Sequence, residues 1–320
     1  MPFDETPELI LHHYDFSNFA EKIRLIFGHK KLSWASVITP MFLPKPILTT
    51  LTGGYRKVPV LQIGADIYCD TLCIALEVER RFPEHTLFPH HSTGLAMAVA
   101  NWAERSLLWP TARFATGAVA DQLPTQFHAD RAAMWGVPLN IERYRAAAPR
   151  HRMQMIAQLG WIESMLERSS GKFLLGNALS LADLAVYHPL WLVGRCSANL
   201  TEAFAPFSKL RNWMELIEMT GHGVRTELEP DVAIEVASNS QPQTPENICL
   251  PPSSEPFKLG DLVVVTPSDY GQDKVSGRLH QISLRQISIK RTTAQIGDVV
   301  VNFPFTGYRI ALDRSSGTQA

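Results

Sequence analysis

Three successive regimes of hydrophobic period along the chain predict a three-part molecule. An α/β domain spans residues 1–88, an all-helical domain spans 92–237, and a small all-β, barrel-like domain spans 257–312 beyond a linker at 238–256. The first part switches between strand and helix spacing, the second keeps only the helical period, and the last returns to alternation.

Within the first part, ELILHHY reads as a strand, and Phe19, Ile23, Ile26 and Phe27 then recur at helical spacing, with Gly28 near the helix end. SWASVIT is a second strand. The Pro-rich TPMFLPKP leads to a short helix that stops near Gly53-Gly54. VPVLQI and ADIYC form two strands around a turn at Gly64-Ala65, and TLCIALEVERRF is a helix stopped by Pro83. The order β-α-β-α-β-β-α fits a small mixed sheet with a parallel start and a hairpin finish.

From Ser92 the pattern is helical, and no further strand is expected before the last part. Met155, Leu159, Ile162 and Leu166 line one helix face, and Leu210, Trp213, Met214 and Ile217 another. In NALSLADLAVY, Ser180 is the N-cap of a helix starting at Leu181. Asp183 takes the capping-box position, and Leu179 and Leu184 form a hydrophobic staple. Pro189 should bend that helix near Ala185. Residues 115–149 give mixed signals around Pro124, Gly136 and Pro138, and read as irregular with short helices. Residues 238–256 are polar and Pro-rich, the composition of a semi-extended linker. Beyond it, LGDLVVVTP is echoed by IGDVVVNFP. The echo suggests a pseudo-symmetric barrel, although Gly-Asp turns commonly precede strands in any case. The tail after Asp313 reads as disordered.

Composition narrows the function. Lys+Arg 30 against Asp+Glu 31 leaves a formal charge of −1, which gives no field to attract nucleic acid or an anionic membrane. The opening MPFDETPE carries acids where a signal peptide carries lysines, and no apolar run approaches the ~20 residues of a membrane span, so a cytoplasmic location is expected. Cys69, Cys73, Cys196 and Cys249 form no C-x-x-C pair and read as reduced thiols. His12-His13 and His90-His91 lack companions at metal-ligand spacing, so no metal is expected and core or surface roles are favoured.

Three places carry chemistry. Ser17 opens the first helix, so its hydroxyl sits among unpaired N–H groups at the positive end of the helix dipole. Val58-Pro59 opens a strand where proline needs a special position, often a cis bond that leaves the preceding backbone for a ligand. Asp70-Thr71 sets a carboxylate and a hydroxyl beside the N–H groups of another helix start.

Taken in order, SNFAEKIR, RKVPVL, CDTLCIALEVERRFP and FLLGNALSLADLAVYH resemble the motifs of the glutathione S-transferase superfamily over roughly residues 8–235. The resemblance implies a thioredoxin-like N-terminal domain, an all-helical C-terminal domain and a homodimer whose contacts involve the third helix and residues 92–105. It also implies glutathione as co-substrate, a small-molecule electrophile as partner, and a detoxification role. On it, Ser17 is the catalytic residue that steadies the glutathione thiolate. Val58 beside Pro59 pairs with the cysteinyl backbone, Thr71 holds the γ-glutamyl carboxylate and Asp70 takes the amino group. Lys57, with Arg56 or Lys45 as helpers, meets the glycyl carboxylate. Tyr14, Phe16, Trp109 and Phe114 are candidates for the electrophile pocket, with Trp135 and Tyr187 in the same helical region. Asn18 stands where proline often follows the catalytic position, and Asp70-Thr71 replaces the commoner Glu-Ser. Serine in place of cysteine argues against thiol transfer, because serine forms no mixed disulfide. A different class fits the appended β-domain: a glutathione-fold scaffold or regulatory protein with little or no catalysis, which uses that domain to bind partners.

Overall fold

The computed structural model describes residues 8–244 and 257–314. Most of the expected linker and the extreme tail lie outside the described residues.

The N-terminal elements are β1 (Ile10–His13), α1 (Asn18–His29), β2 (Ser33–Ile38), α2 (Pro46–Thr52), β3 (Val60–Ile63), β4 (Asp66–Cys69) and α3 (Thr71–Arg81). β1 pairs parallel with β2 and antiparallel with β3, which pairs antiparallel with β4. This is the thioredoxin-like half. Gly53 closes α2 with φ +81, a left-handed conformation that costs glycine nothing. Gly28 allows the end of α1 to approach residue 221, where a Cβ would stand 2.0 Å from a backbone oxygen.

The helical half comprises α4 (Thr93–Trp102), α5 (Leu108–Ala118), α6 (Thr125–Trp135), α7 (Ile141–Arg168), α8 (Leu181–Cys196) and α9 (Ser208–Glu218). Residues 115–149 are more regular than expected. Asn140 caps α7 by accepting the Arg143 N–H, and α7 then runs on through Pro149. The chain next makes a strand where none was expected: β5 (Val224–Glu227) pairs parallel with β2, and α10 (Pro230–Ser238) follows.

The last five strands are β6 (Leu262–Pro267), β7 (Val275–Ile282), β8 (Gln286–Thr293), β9 (Gly297–Pro304) and β10 (Tyr308–Leu312). β10 pairs with β6, at the far end of the 10-6-7-8-9 order from β9, yet only residues 305–307 join it to β9. The meander therefore curls on itself, as a barrel-like unit must.

β9 pairs parallel with β4, so the appended strands and the N-terminal strands make one ten-stranded sheet from both ends of the chain. The third helix packs against α1, β4 and β9 of its own chain. Strand alternation explains the shared core. Leu11, Leu61 and Tyr68 face α1, α3 and the helical half, where Leu159, Ile162, Leu184 and Trp213 complete one cluster. Val60, Ile67 and Cys69 face the other way, onto Val263, Val265, Ile289, Val301 and Phe303. A chain ended after Thr244 would uncover that face and the β4 edge. Each large side chain re-exposed costs about 1.5–3 kcal/mol, against a total stability of about 5–15 kcal/mol for typical domains. Its thermal melt is expected to lose cooperativity, and a sharp melt like that of the full chain would show the appended strands to be a separable module.

Candidate functional site

Ser17 is the N-cap of α1. Its Oγ accepts the Ala20 N–H at 3.2 Å, which uses the oxygen and leaves the hydroxyl hydrogen for another acceptor. The side chain is 5% exposed and faces a cleft between the two halves, together with Tyr14, Phe16, Val58 and Trp109. Phe114, by contrast, is buried in the core cluster, as is Tyr187; neither lines this cleft. Trp135 does line it.

The Val58-Pro59 bond is cis. It borders a second, contiguous hollow with Lys57, Asp70 and Thr71. Asp70 has φ +77 and caps α3 by accepting the Leu72 N–H at 2.9 Å. Burial raises its carboxyl above the ordinary range, and Glu104 adds to the rise. The Thr71 hydroxyl accepts from Lys22 at 3.2 Å. Lys22 also meets Glu104 at 2.5 Å. Burial would raise Glu104, but Lys22 and His188 draw it down to about 2. This Lys22–Glu104–His188 group, with Asn18 donating to His188 at 2.9 Å, lies beneath the hollow. Lys22 sits on the inward face of an ordinary amphipathic helix, so spacing alone gave no sign of it.

The appended strands reach the site. Asp269, just past β6, accepts from Lys57 Nζ at 2.8 Å and stands 3.6 Å from Arg105. The Tyr270 ring lies 4.1 Å from Lys57 Nζ and packs edge-on against Trp109 at 5.1 Å. The Gly271 N–H donates to the Met134 carbonyl at 2.8 Å. Tyr308, at the start of β10, donates to Asp70 at 3.2 Å. Lys57, expected to be open for a carboxylate, therefore already holds one. Arg56 likewise pairs with Asp130. Lys45 differs: it is 5% exposed, donates to the Arg56 carbonyl at 3.0 Å and faces the Tyr14 ring at 5.7 Å, and among the described residues it has no carboxylate within ion-pair distance. Burial lowers its ammonium to about 8.

Other candidates are structural. His12 bonds Gln62 at 2.8 Å and His13 bonds Ser36 at 3.1 Å, and burial lowers them to about 4 and about 3. Burial drives the Cys69 and Cys73 thiols well up, so neither is a ready nucleophile. Among the described residues no group of His, Cys, Asp and Glu is arranged to hold a metal ion, and no helix is long and apolar enough to cross a membrane.

Two family models match: the glutathione S-transferase N-terminal domain over residues 11–86 and its C-terminal domain over residues 145–216. No curated protein matches the chain. Among solved structures, a GST-like protein from Pseudomonas syringae is 33% identical with a TM-score of 0.77, and the match covers 95% of this chain and 100% of that one. A glutathione S-transferase from Rhodospirillum rubrum F11 is 19% identical with a TM-score of 0.54, covering 66% of this chain and 87% of that one. FzlA from C. crescentus is 21% identical with a TM-score of 0.52, covering 66% and 88%. The last two show the fold alone. A match covering 95% of the chain must take in most of the appended strands, so the Pseudomonas syringae protein shares that addition. With both domain models in register and a relative matched along its whole length, the chain belongs to the glutathione S-transferase superfamily.

Proposed function

We propose that the protein is a glutathione transferase that lowers the pKa of the bound thiol for attack on a small electrophile. The observation that carries this reading is the Ser17 hydroxyl, whose oxygen is engaged by Ala20 and whose hydrogen is available in the cleft beside Val58. A thiol of pKa about 8.5 is only a few per cent thiolate at neutral pH, so a hydroxyl donor and the α1 dipole act where the gain is large. Val58 pairs with the cysteinyl backbone, Thr71 and the first N–H groups of α3 hold the γ-glutamyl carboxylate, and Asp70 takes the amino group. The glycyl carboxylate goes to Lys45 rather than Lys57, because of Lys45, Arg56 and Lys57 only Lys45 has no carboxylate within ion-pair distance among the described residues.

That assignment has a pH signature. Lys45 is charged below about 8 and loses its charge above it. Binding of S-methylglutathione, which has no thiol to titrate, should weaken between about pH 7 and about pH 9. Lys45→Arg, which stays charged, should flatten the profile. A profile unchanged by the substitution removes Lys45 from the site.

One observation favours a second reading, a glutathione-fold scaffold without catalysis. Asp269 and Tyr270 engage Lys57, and Tyr308 engages Asp70, two residues that the family resemblance gives to glutathione. Calorimetric titration with glutathione separates the two. The transferase reading expects binding in the wild type, tightened about fivefold in Asp269→Asn as Lys57 is released to join Lys45 at the glycyl carboxylate. No binding to either protein sinks the transferase reading and leaves the scaffold.

A further inference from the structure

The wall of the cleft made by α5, α6 and the start of α7 carries charge for which glutathione has no use. Arg113 on α5 lies 5.4 Å from the Trp109 ring centre and 6.0 Å from that of Trp135. Arg131 on α6 lies 5.0 Å from the Phe127 ring centre, and its one hydrogen bond among the described residues runs to the Met134 sulfur, a weak acceptor. Neither guanidinium has a carboxylate within ion-pair distance among the described residues, whereas Arg56 and Lys57 on the opposite wall each have one.

Both arginines line the same cavity as Tyr144, whose hydroxyl sits 2.6 Å from Thr116 Oγ1. Burial pushes that phenol up, and the Thr116 hydrogen bond, Arg113 and Arg131 all pull it back. Two guanidiniums without a carboxylate partner among the described residues thus line a ring-rich cavity whose carboxylate, Asp130, is already paired with Arg56, in a chain whose overall charge is only −1. Arg113, Arg131, Trp109 and Trp135 all fall between the two segments that match the family models, so neither model accounts for this wall. A planar guanidinium forks onto a carboxylate, and aromatic faces stack on flat rings.

We propose that the second substrate is a planar aromatic electrophile bearing a carboxylate, with its ring against Trp109 and Trp135 and its carboxylate on Arg113 and Arg131. The catalytic part of this proposal rests on the transferase reading; the binding part does not. With an aryl halide of this class, the glutathione thiol gives its proton to solvent and its sulfur attacks the halogen-bearing ring carbon. The C–S bond forms, the C–halogen bond breaks and the halide leaves with the electron pair, so no oxidant or reductant is needed. The arginines draw the ring into place and fix which carbon faces the sulfur.

The test is binding of two isosteres to the full-length protein without glutathione, at low salt, read by calorimetry and by quenching of tryptophan fluorescence. 3,5-Dinitrobenzoate should bind about tenfold more tightly than 3,5-dinitrobenzamide, which has the same ring and no charge. In the Arg113→Gln/Arg131→Gln double variant the two affinities should become equal, with that of the benzamide little changed. The corresponding double lysine variant should keep part of the preference. Equal affinities in the wild type, a preference that survives the glutamine substitutions, or no binding of either compound at millimolar concentration each overturn the proposal. The wild-type comparison needs no variant to fold. With glutathione absent, a failed conjugation assay would leave a positive result standing, and a negative result would leave conjugation of neutral electrophiles standing.

Discussion

Replacing Ser17 with alanine should lower the conjugation rate near neutral pH about ten- to a hundredfold while changing glutathione affinity little. Losing a hydrogen bond to a charged group costs about 1.5–3 kcal/mol, which is about one to two pKa units. That interaction is strongest once the proton has left, so its loss falls on turnover rather than binding. The Ser17 oxygen also caps α1 through the Ala20 N–H, so the variant should lose about 1 kcal/mol of stability as well. The measurement that separates the two roles is thiolate absorbance of bound glutathione against pH. In Ser17→Ala the titration should move up by one to two units, and in Ser17→Thr, which keeps both the hydroxyl and the cap, it should stay close to the wild type. Coincident titrations with unchanged rates in Ser17→Ala would reduce Ser17 to a helix cap.

Asp183→Ala should be the most damaging single change to stability. The side chain is fully buried. One carboxylate oxygen accepts the Ser180 N–H at 2.9 Å and the Ser180 hydroxyl at 2.6 Å; the other accepts the Leu174 N–H at 2.8 Å and Trp213 Nε1 at 2.9 Å. Alanine leaves four donors without an acceptor in the middle of the helical core, and each buried orphan costs about 1–3 kcal/mol before water or repacking relieves it. A net loss of about 3–5 kcal/mol is expected, a large share of a typical domain's stability. Asp183→Asn should recover little, because its amide turns one acceptor into a donor facing donors. Urea unfolding of the three proteins decides it, and a loss below about 1 kcal/mol in the alanine variant would mean that the network is not holding α8 in place.

Much of this structure is legible locally. The capping box at Ser180 and Asp183, the stop of α2 at Gly53 and the alternation of β1 to β4 are each set within a few residues, by a hydrogen bond, a backbone angle or the pleat of a strand. The two motifs that the resemblance gives to glutathione, Ser17 ahead of α1 and Asp70-Thr71 at the start of α3, follow from the same local rules. Phe114 and Trp109 show where such reading stops: both are aromatic and five residues apart on α5, yet Trp109 reaches the cleft while Phe114 packs into the core. Which face of a helix looks onto a cavity depends on what the neighbouring elements leave open.

By itself, then, the sequence determined the kind and order of most elements, the superfamily motifs and the position of the candidate nucleophile-stabilising serine. Tertiary structure decided that β9 adds to the β4 edge, that Asp269 meets Lys57 across 212 residues of chain, and that Arg113 and Arg131 line one cavity with Tyr144. The physical reason is range. Capping, turns and strand alternation are short-range and written in adjacent residues, whereas a free sheet edge or an unpaired charge chooses its partner only after every other surface has been buried.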